Sequence, residues 1–134
     1  MGPAGEGGGE ILKYGTGTTA AGKLYYLNTS AAWTASDSSS PATGASQLLG
    51  IGLGTDPAVD GMLLKGYVRV ASADITGTAN PGLPLYVSPT ASTYNFTTPS
   101  AAGEFVRVVG YCVDTHSGDV LLYFNPDSTW VEIS

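Results

Sequence analysis

Few side chains in this sequence could do acid–base, nucleophilic or metal chemistry. His116 is the one histidine, and it lies in a polar turn at residues 114–119. A catalytic triad needs a histidine beside a serine and an acid, and the sequence has no Gly-x-Ser-x-Gly turn to carry that serine. One histidine and one cysteine, Cys112, cannot supply the ligands of a Cys/His zinc site. We therefore predict that the chain is not an enzyme and needs no cofactor or metal.

The acidic side chains also lie in turns. Asp56, Asp60, Asp114 and Asp119 occupy segments rich in glycine and other turn residues. Aspartate favours turns because its carboxylate bonds nearby backbone N–H groups. Residues 114–119 could bind calcium, but they lack the EF-hand spacing and its terminal glutamate. A solvated turn is therefore the preferred interpretation of these acids.

The aromatic residues allow two interpretations. In an all-β protein, aromatic side chains usually belong to the core or to a subunit interface; exposed ones can stack on sugars. We predict the first role, and a carbohydrate-binding module is kept as an alternative function. The candidate interface aromatics are Tyr25, Trp33, Tyr94 and Trp130.

Composition favours a single globular domain with no nucleic-acid or membrane partner. The chain has 134 residues, a net charge of -6 and only 12% charged residues. DNA and RNA need a positive surface stripe, which five scattered Lys and Arg residues cannot form. No apolar stretch approaches the ~20 residues of a membrane span. The N-terminus has no basic segment followed by an apolar one, so we expect synthesis in the cytoplasm without a signal peptide.

The sequence repeats itself at an offset of 60 residues. Residues 48–55 and 108–115 are both apolar β-type runs with glycine in third place and threonine in eighth. Such self-similarity indicates an internal duplication, and we predict half-repeats at 16–70 and 76–125. The other identities at this offset are Thr16/Thr76, Gly17/Gly77, Thr18/Thr78, Gly22/Gly82, Tyr26/Tyr86, Ala31/Ala91, Ser40/Ser100 and Ala42/Ala102.

Residues 1–14 are predicted to be an N-terminal arm with a first short strand at residues 11–14. Glycine recurs every third residue at Gly2, Gly5 and Gly8. This spacing is compatible with a flexible glycine-rich arm or with a short collagen-like trimeric stalk. In either case a partner is needed to order the arm. Its candidate capsid-binding residues are Gly2, Pro3, Gly5, Gly8, Ile11, Leu12 and Tyr14.

Residues 15–134 are predicted to form one all-β domain, a small β-barrel or sandwich. Short apolar runs alternate with turns rich in Gly, Pro, Ser and Asn, and no stretch has a convincing helical period. Strands are expected at residues 23–28, 47–53, 62–70, 83–87, 104–113 and 120–124. Two half-barrels related by a pseudo-two-fold axis would cover edges that otherwise invite aggregation.

Several of these segments resemble virion structural proteins of tailed bacteriophages. The residues that carry the resemblance are at 22–28, 49–53, 61–68, 81–88, 108–111 and 123–127. The sequence pattern of these segments is similar to that of small β-barrel head-decoration (cement) proteins and of β-domains at the ends of phage fibres. The resemblance covers roughly residues 15 to 133 and implies homotrimers on the capsid surface with an N-terminal arm reaching onto the shell. It carries over no catalytic residues.

The expected function is therefore capsid decoration by binding alone. The expected partners are the major capsid protein and further copies of this chain, and the expected location is the virion. Many copies of modest affinity would stabilise the shell through multivalency. The alternative is a trimeric tail- or capsid-fibre domain that contacts the host surface.

Overall fold

Strand-forming segments and turn residues alternate along the chain, and the computed structural model, which describes residues 9–134, contains β-strands and two short 3₁₀ turns. Neither turn, at Pro41–Thr43 and Ser72–Asp74, is long enough to span a membrane, and residues 9–134 contain no other helix that is. The strands are β1 (Gly9–Leu12), β2 (Leu24–Leu27), β3 (Trp33–Ala35), β4 (Leu49–Gly52), β5 (Met62–Ala71), β6 (Ile75–Thr76), β7 (Pro84–Val87), β8 (Tyr94–Asn95), β9 (Phe105–Val106), β10 (Val108–His116), β11 (Asp119–Phe124) and β12 (Val131–Glu132).

One large sheet dominates the fold. Its strand order is β3-β2-β4-β5-β11-β10-β7-β8-β6, and β1 pairs with β5 beside this path. The sheet curls into a half-barrel, and β12 pairs with β9 in a separate two-stranded sheet. Within residues 9–134, the pairings between these strands are antiparallel except that of β6 with β8, and an isolated parallel bridge joins Thr16 to Ala32. The predicted all-β fold is confirmed.

The strand pairs of the first half recur in the second half at the offset of 60 residues. Strands β2 and β4 pair as β7 and β10 do, and β4 and β5 pair as β10 and β11 do. Between the halves, β5 pairs with β11 antiparallel. The two halves therefore share these registers, although β7 pairs with β8 one residue out of the register that β2 forms with β3. The matching pairs are Leu24–Ile51 with Pro84–Tyr111, and Gly52–Met62 with Cys112–Leu122.

Buried serines tie the far ends of the sheet together. Ser36 and Ser38 follow β3, whereas Ser88 and Ser92 lie in the loop between β7 and β8, and all four are buried. The Ser38 amide donates to the Ser88 carbonyl at 2.9 Å, and the Ser92 amide donates to the Ser36 carbonyl at 2.9 Å. Small side chains let these segments approach closely, and the backbone groups that an exposed edge would leave open are bonded.

The two halves differ in how their outer faces are covered. Leu24 and Ile51 face the main core, which also takes in Phe105 and Phe124. On the opposite face of the first half, a second cluster of Tyr25, Trp33 and Met62 packs with Leu12, Leu27 and Leu64. Leu12 belongs to β1, so the N-terminal strand completes this outer cluster. Burial on both faces explains why β4 is apolar throughout.

The structure moves several predicted boundaries. The first strand begins at Gly9 and ends at Leu12, instead of covering residues 11–14. The predicted strand 104–113 is two strands, β9 and β10, with Arg107 between them. Strand β10 continues to His116, so the turn before β11 is shorter than the predicted segment 114–119. Pro84 pairs with Tyr111 on one side only, as expected for a residue without a backbone N–H.

Candidate functional site

His116 lies in an exposed ionic cluster at the β10–β11 hairpin. Its Nδ1 is 2.8 Å from Nη1 of Arg69 and 3.4 Å from Oδ1 of Asp119. Its Nε2 is 3.7 Å from Oδ2 of Asp114. Exposed pairs of this kind contribute only about 0–1 kcal/mol. No serine or cysteine side chain hydrogen-bonds to His116 within residues 9–134, so the cluster lacks the geometry of an activated nucleophile.

The other turn acids are occupied by their own backbone. The Asp56 amide donates to Oδ2 of Asp60 at 3.0 Å, and the Ala58 amide donates to Oδ1 of Asp56 at 3.0 Å. These contacts stabilise the turn between β4 and β5. Across residues 9–134, no group of three or more His, Cys, Asp or Glu residues could hold a metal ion.

Cys112 is a buried core residue. Its thiol packs in the main core and contacts the Asp114 carbonyl oxygen at 3.7 Å. Burial raises the pKa of the Cys112 thiol, and the Asp114 carboxylate adds to that shift. A reactive cysteine needs a lowered pKa and solvent access, so Cys112 is structural.

Three of the four candidate interface aromatics lie inside the domain. Tyr25, Trp33 and Tyr94 are buried, and their rings are not available to a partner or a sugar. Trp33 also donates through Nε1 to the Tyr14 carbonyl at 2.8 Å. Trp130 is half-buried and packs edge-on against Phe105, with 6.5 Å between ring centroids. The core interpretation of these aromatics therefore prevails over interface and sugar contact.

Tyr94 makes the stability of the fold sensitive to alkaline pH. Its ring is fully buried, and its hydroxyl donates to the Gly22 carbonyl at 2.7 Å. Burial raises the pKa of Tyr94 well above 10.0, and the Asp74 carboxylate raises it further. The unfolded chain releases this proton near the ordinary tyrosine pKa, whereas the folded chain keeps it. Above about pH 10 the unfolded state therefore binds fewer protons, and stability falls by up to about 1.4 kcal/mol per pH unit from this group.

We expect Tyr94→Phe to remove this part of the pH dependence. At pH 7 the variant loses the bond to Gly22, at a cost of about 1 kcal/mol in the free energy of unfolding. Urea unfolding at pH 7, 9, 10 and 11 should show the wild-type and variant curves converging as pH rises. Tyr14→Phe, at an exposed tyrosine, is the control and should parallel the wild type. A constant gap between wild type and Tyr94→Phe would contradict the assignment.

The arm residues within the structure have divided roles. Gly2, Pro3, Gly5 and Gly8 lie outside the described residues. Strand β1 pairs with β5, with Gly9 opposite Gly66 and Leu12 opposite Met62. The Leu12 side chain packs in the outer cluster, but Ile11 and Tyr14 are 53% and 54% exposed. Of the residues predicted to bind a capsid, Leu12 therefore holds β1 in place, while Ile11 and Tyr14 are open to contact.

A row of tyrosines crosses the outer face of the sheet where β5 of the first half meets β11 and β10 of the second. Tyr111 is opposite Tyr123, and Tyr123 is opposite Tyr67, so three neighbouring strands carry one ring each. The Tyr67 and Tyr123 ring centroids are 5.1 Å apart. Tyr67 and Tyr111 are both exposed. Sequence reasoning missed this row, because only the strand registers bring the three residues together.

Tyr111 also lines a groove beside this row. The groove has a volume of about 480 Å³, and its other walls come from β10 and from the segment after β11. The Asn125 amide donates to the Val109 carbonyl at 2.8 Å, and the Asp127 amide donates to the Val108 carbonyl at 2.9 Å. The wall formed by the segment at residues 125–128 is thus hydrogen-bonded to β10. The lining residues are Val108, Tyr111, Asn125, Pro126, Asp127 and Ser128.

A buried arginine, Arg107, which was not predicted from the sequence as a functional residue, contacts the same wall from the interior side. The Arg107 Nε donates to the Asp127 carbonyl at 2.6 Å, and its Nη1 donates to the carbonyls of Gln47 at 2.7 Å and Gly44 at 3.0 Å. Burial lowers the pKa of the Arg107 guanidinium, and the Asp127 carboxylate opposes that shift. Arginine keeps its charge in proteins. Arg107 therefore joins two loops that no strand pairing connects.

Comparison with known proteins finds no match among protein-family models, curated proteins or solved structures.

Proposed function

We propose that this chain is a non-catalytic structural protein of a phage particle that decorates the outer surface of the head. The sequence resemblance supplies the phage setting and the homotrimer. The observation that carries the proposal is that β1 is ordered on the domain while exposed side chains lie in and beside it. This strand is fixed to the domain by β5 and Leu12, yet the side chains of Ile11, within it, and of Tyr14, two residues after it, are exposed.

The geometry of β1 suits attachment by strand addition. Within residues 9–134 it pairs with β5 alone, so its outer edge is not covered by another strand. A shell strand added to that edge would form backbone hydrogen bonds, with Ile11 and Tyr14 supplying apolar contact. Because β1 is already ordered, less conformational entropy is lost on binding than for a free arm.

The alternative, a fibre domain that meets the host surface, is favoured by one observation, the tyrosine row in which Tyr67 and Tyr111 are exposed and Tyr123 is half-buried between them. Aromatic residues are enriched in binding surfaces. In this function the ligand would be a host-cell component, and the N-terminal arm would join the domain to the rest of the fibre.

Binding to empty expanded capsids of the phage tests the decoration proposal. We expect the wild-type chain to co-sediment with these capsids and to raise their melting temperature in calorimetry. The double variant Ile11→Ser/Tyr14→Ser should bind about tenfold more weakly, since it removes the exposed contact side chains in and just after β1. Sedimentation of the free protein measures whether it is a trimer.

The matched control is Val59→Ser, which removes a 64% exposed apolar side chain from the turn between β4 and β5. It should bind capsids as the wild type does. Binding to host cells without any binding to capsids would overturn the decoration proposal in favour of the fibre domain. Equal losses in Val59→Ser and the double variant would show that β1 is not the attachment site.

A further inference from the structure

We infer that the groove beside Tyr111 binds a neutral oligosaccharide. This inference does not depend on the decoration proposal, because it concerns a different set of residues and a different ligand. The groove combines an aromatic ring from Tyr111 with the amide of Asn125, the carboxylate of Asp127 and the hydroxyl of Ser128. Its volume of about 480 Å³ lies within the range of about 300–1,000 Å³ typical of small-molecule sites.

Tyr111 can act as the stacking platform. Its side chain is 48% exposed, so one part of the ring is supported by the sheet and another part is open. Its neighbour across the strands is Tyr123, which in turn contacts Tyr67. Aromatic rings offer a large apolar contact with little conformational entropy to lose. The apolar C–H face of a pyranose ring fits such a platform, and the row extends it beyond one sugar unit.

The polar groups around the platform are available to a ligand. Within residues 9–134, the Asn125 side-chain amide and the Ser128 hydroxyl make no hydrogen bond to the protein. Asp127 uses Oδ1 to accept from the Thr129 amide at 3.0 Å, which leaves Oδ2 open. An amide, a carboxylate oxygen and a hydroxyl supply both donors and acceptors, as the vicinal hydroxyls of a sugar require.

The groove wall is rigid enough to hold these groups in place. Two backbone bonds fix Asn125 and Asp127 to β10, and Arg107 fixes the Asp127 carbonyl from the buried side. Preorganised polar groups lose less entropy when a ligand binds. The site therefore needs no rearrangement of the segment at residues 125–128 to engage a sugar.

Charge selects the class of saccharide. The lining contains one carboxylate, that of Asp127, and no lysine or arginine. The guanidinium of Arg107 donates to three backbone carbonyls, those of Gly44, Gln47 and Asp127, and is not among the lining groups. An acidic sugar would place its carboxylate near that of Asp127 without a compensating cation, whereas a neutral hexose or N-acetylhexosamine meets no such repulsion.

The test uses the full chain in two experiments. The first is a glycan array of neutral and acidic oligosaccharides. The second measures binding of two neutral probes, maltotriose and tri-N-acetylchitotriose. We expect binding to neutral members of the array, and saturation transfer from the protein to the bound probe in NMR. Tyr111→Ala should weaken binding about tenfold. Tyr111→Phe keeps the ring and should retain most of the affinity, while Asn125→Ala should lower it several-fold.

Tyr14→Ala is the matched control, because it removes an equally exposed tyrosine outside the groove. It should bind the probe as the wild type does. Should Tyr111→Ala fail to fold, the Asn125→Ala variant, altered at an exposed residue, decides the question. No neutral-glycan binding on the array and no saturation transfer would overturn the inference, as would equal losses in Tyr14→Ala and Tyr111→Ala. Either result leaves the capsid experiment unaffected.

Discussion

Replacing Arg107 with methionine is expected to lower the free energy of unfolding by about 3 to 5 kcal/mol, a large fraction of the stability of a small domain. Methionine removes the guanidinium donors and leaves the carbonyls of Gly44, Gln47 and Asp127 without them. A buried polar group that loses its partner costs about 1 to 3 kcal/mol. The bond to Gly44 is buried and those to Gln47 and Asp127 are partly buried, around one side chain that is itself buried.

Arg69→Met is the matched control for this experiment. Arg69 is exposed and forms a surface contact with Asp119 at 3.3 Å, so the same chemical change should cost at most about 1 kcal/mol. Arg107→Lys keeps a charge but lacks the planar fork that reaches separate carbonyls, and it should lie between wild type and Arg107→Met. Urea denaturation, monitored by tryptophan fluorescence, gives the free energy of unfolding of all four proteins. Equal midpoints for Arg107→Met and Arg69→Met would contradict the role given to Arg107.

Gly110→Ala is expected to destabilise the fold by about 3 kcal/mol, because no side chain fits at that position. A Cβ added to Gly110 would collide with the Tyr123 carbonyl oxygen and would approach the Leu122 Cδ1 to 3.0 Å. The obstacle is the backbone of β11, which cannot swing aside as a side chain can. Gly110 is also the repeat equivalent of Gly50, so the change tests a position shared by the two halves.

Gly118→Ala is the control that separates the cost of this collision from the cost of placing alanine in a backbone conformation that favours glycine. A Cβ at Gly118 meets nothing within 4 Å, but its φ of +93° disfavours alanine. The expected cost is therefore about 1 kcal/mol, from the backbone conformation alone. In thermal unfolding, the melting temperature of Gly110→Ala should be well below that of Gly118→Ala. If both lose the same stability, close approach between β10 and β11 is not what requires glycine at residue 110.

The fold class could be predicted from sequence because its signals are local. Short apolar runs and turn residues specify strands one at a time, and the offset of 60 residues predicted which strands would be equivalent. The registers then repeat that offset, as in Leu24–Ile51 and Pro84–Tyr111. The interruption at Arg107 was not predictable, since a single arginine in an apolar run gives no sign that loops from elsewhere supply its partners.

The candidate sites were harder to predict because exposure is set by contacts between distant segments. By sequence alone Tyr25 and Trp33 could belong to the core or to an interface, and only the structure shows that they pack with Met62 in the outer cluster. Tyr67, Tyr111 and Tyr123 are scattered in sequence, and three strand registers are needed to align them. In the predicted arm, Ile11 and Tyr14 are exposed whereas Leu12 packs in the outer cluster, a division that the sequence does not show.

Electron cryomicroscopy of the intact phage particle, beside particles lacking this chain, tests the proposed role most directly. The proposal predicts difference density on the outer surface of the head, into which the curled sheet fits with β1 towards the shell. Difference density confined to a tail or fibre, or none on the particle, would contradict it.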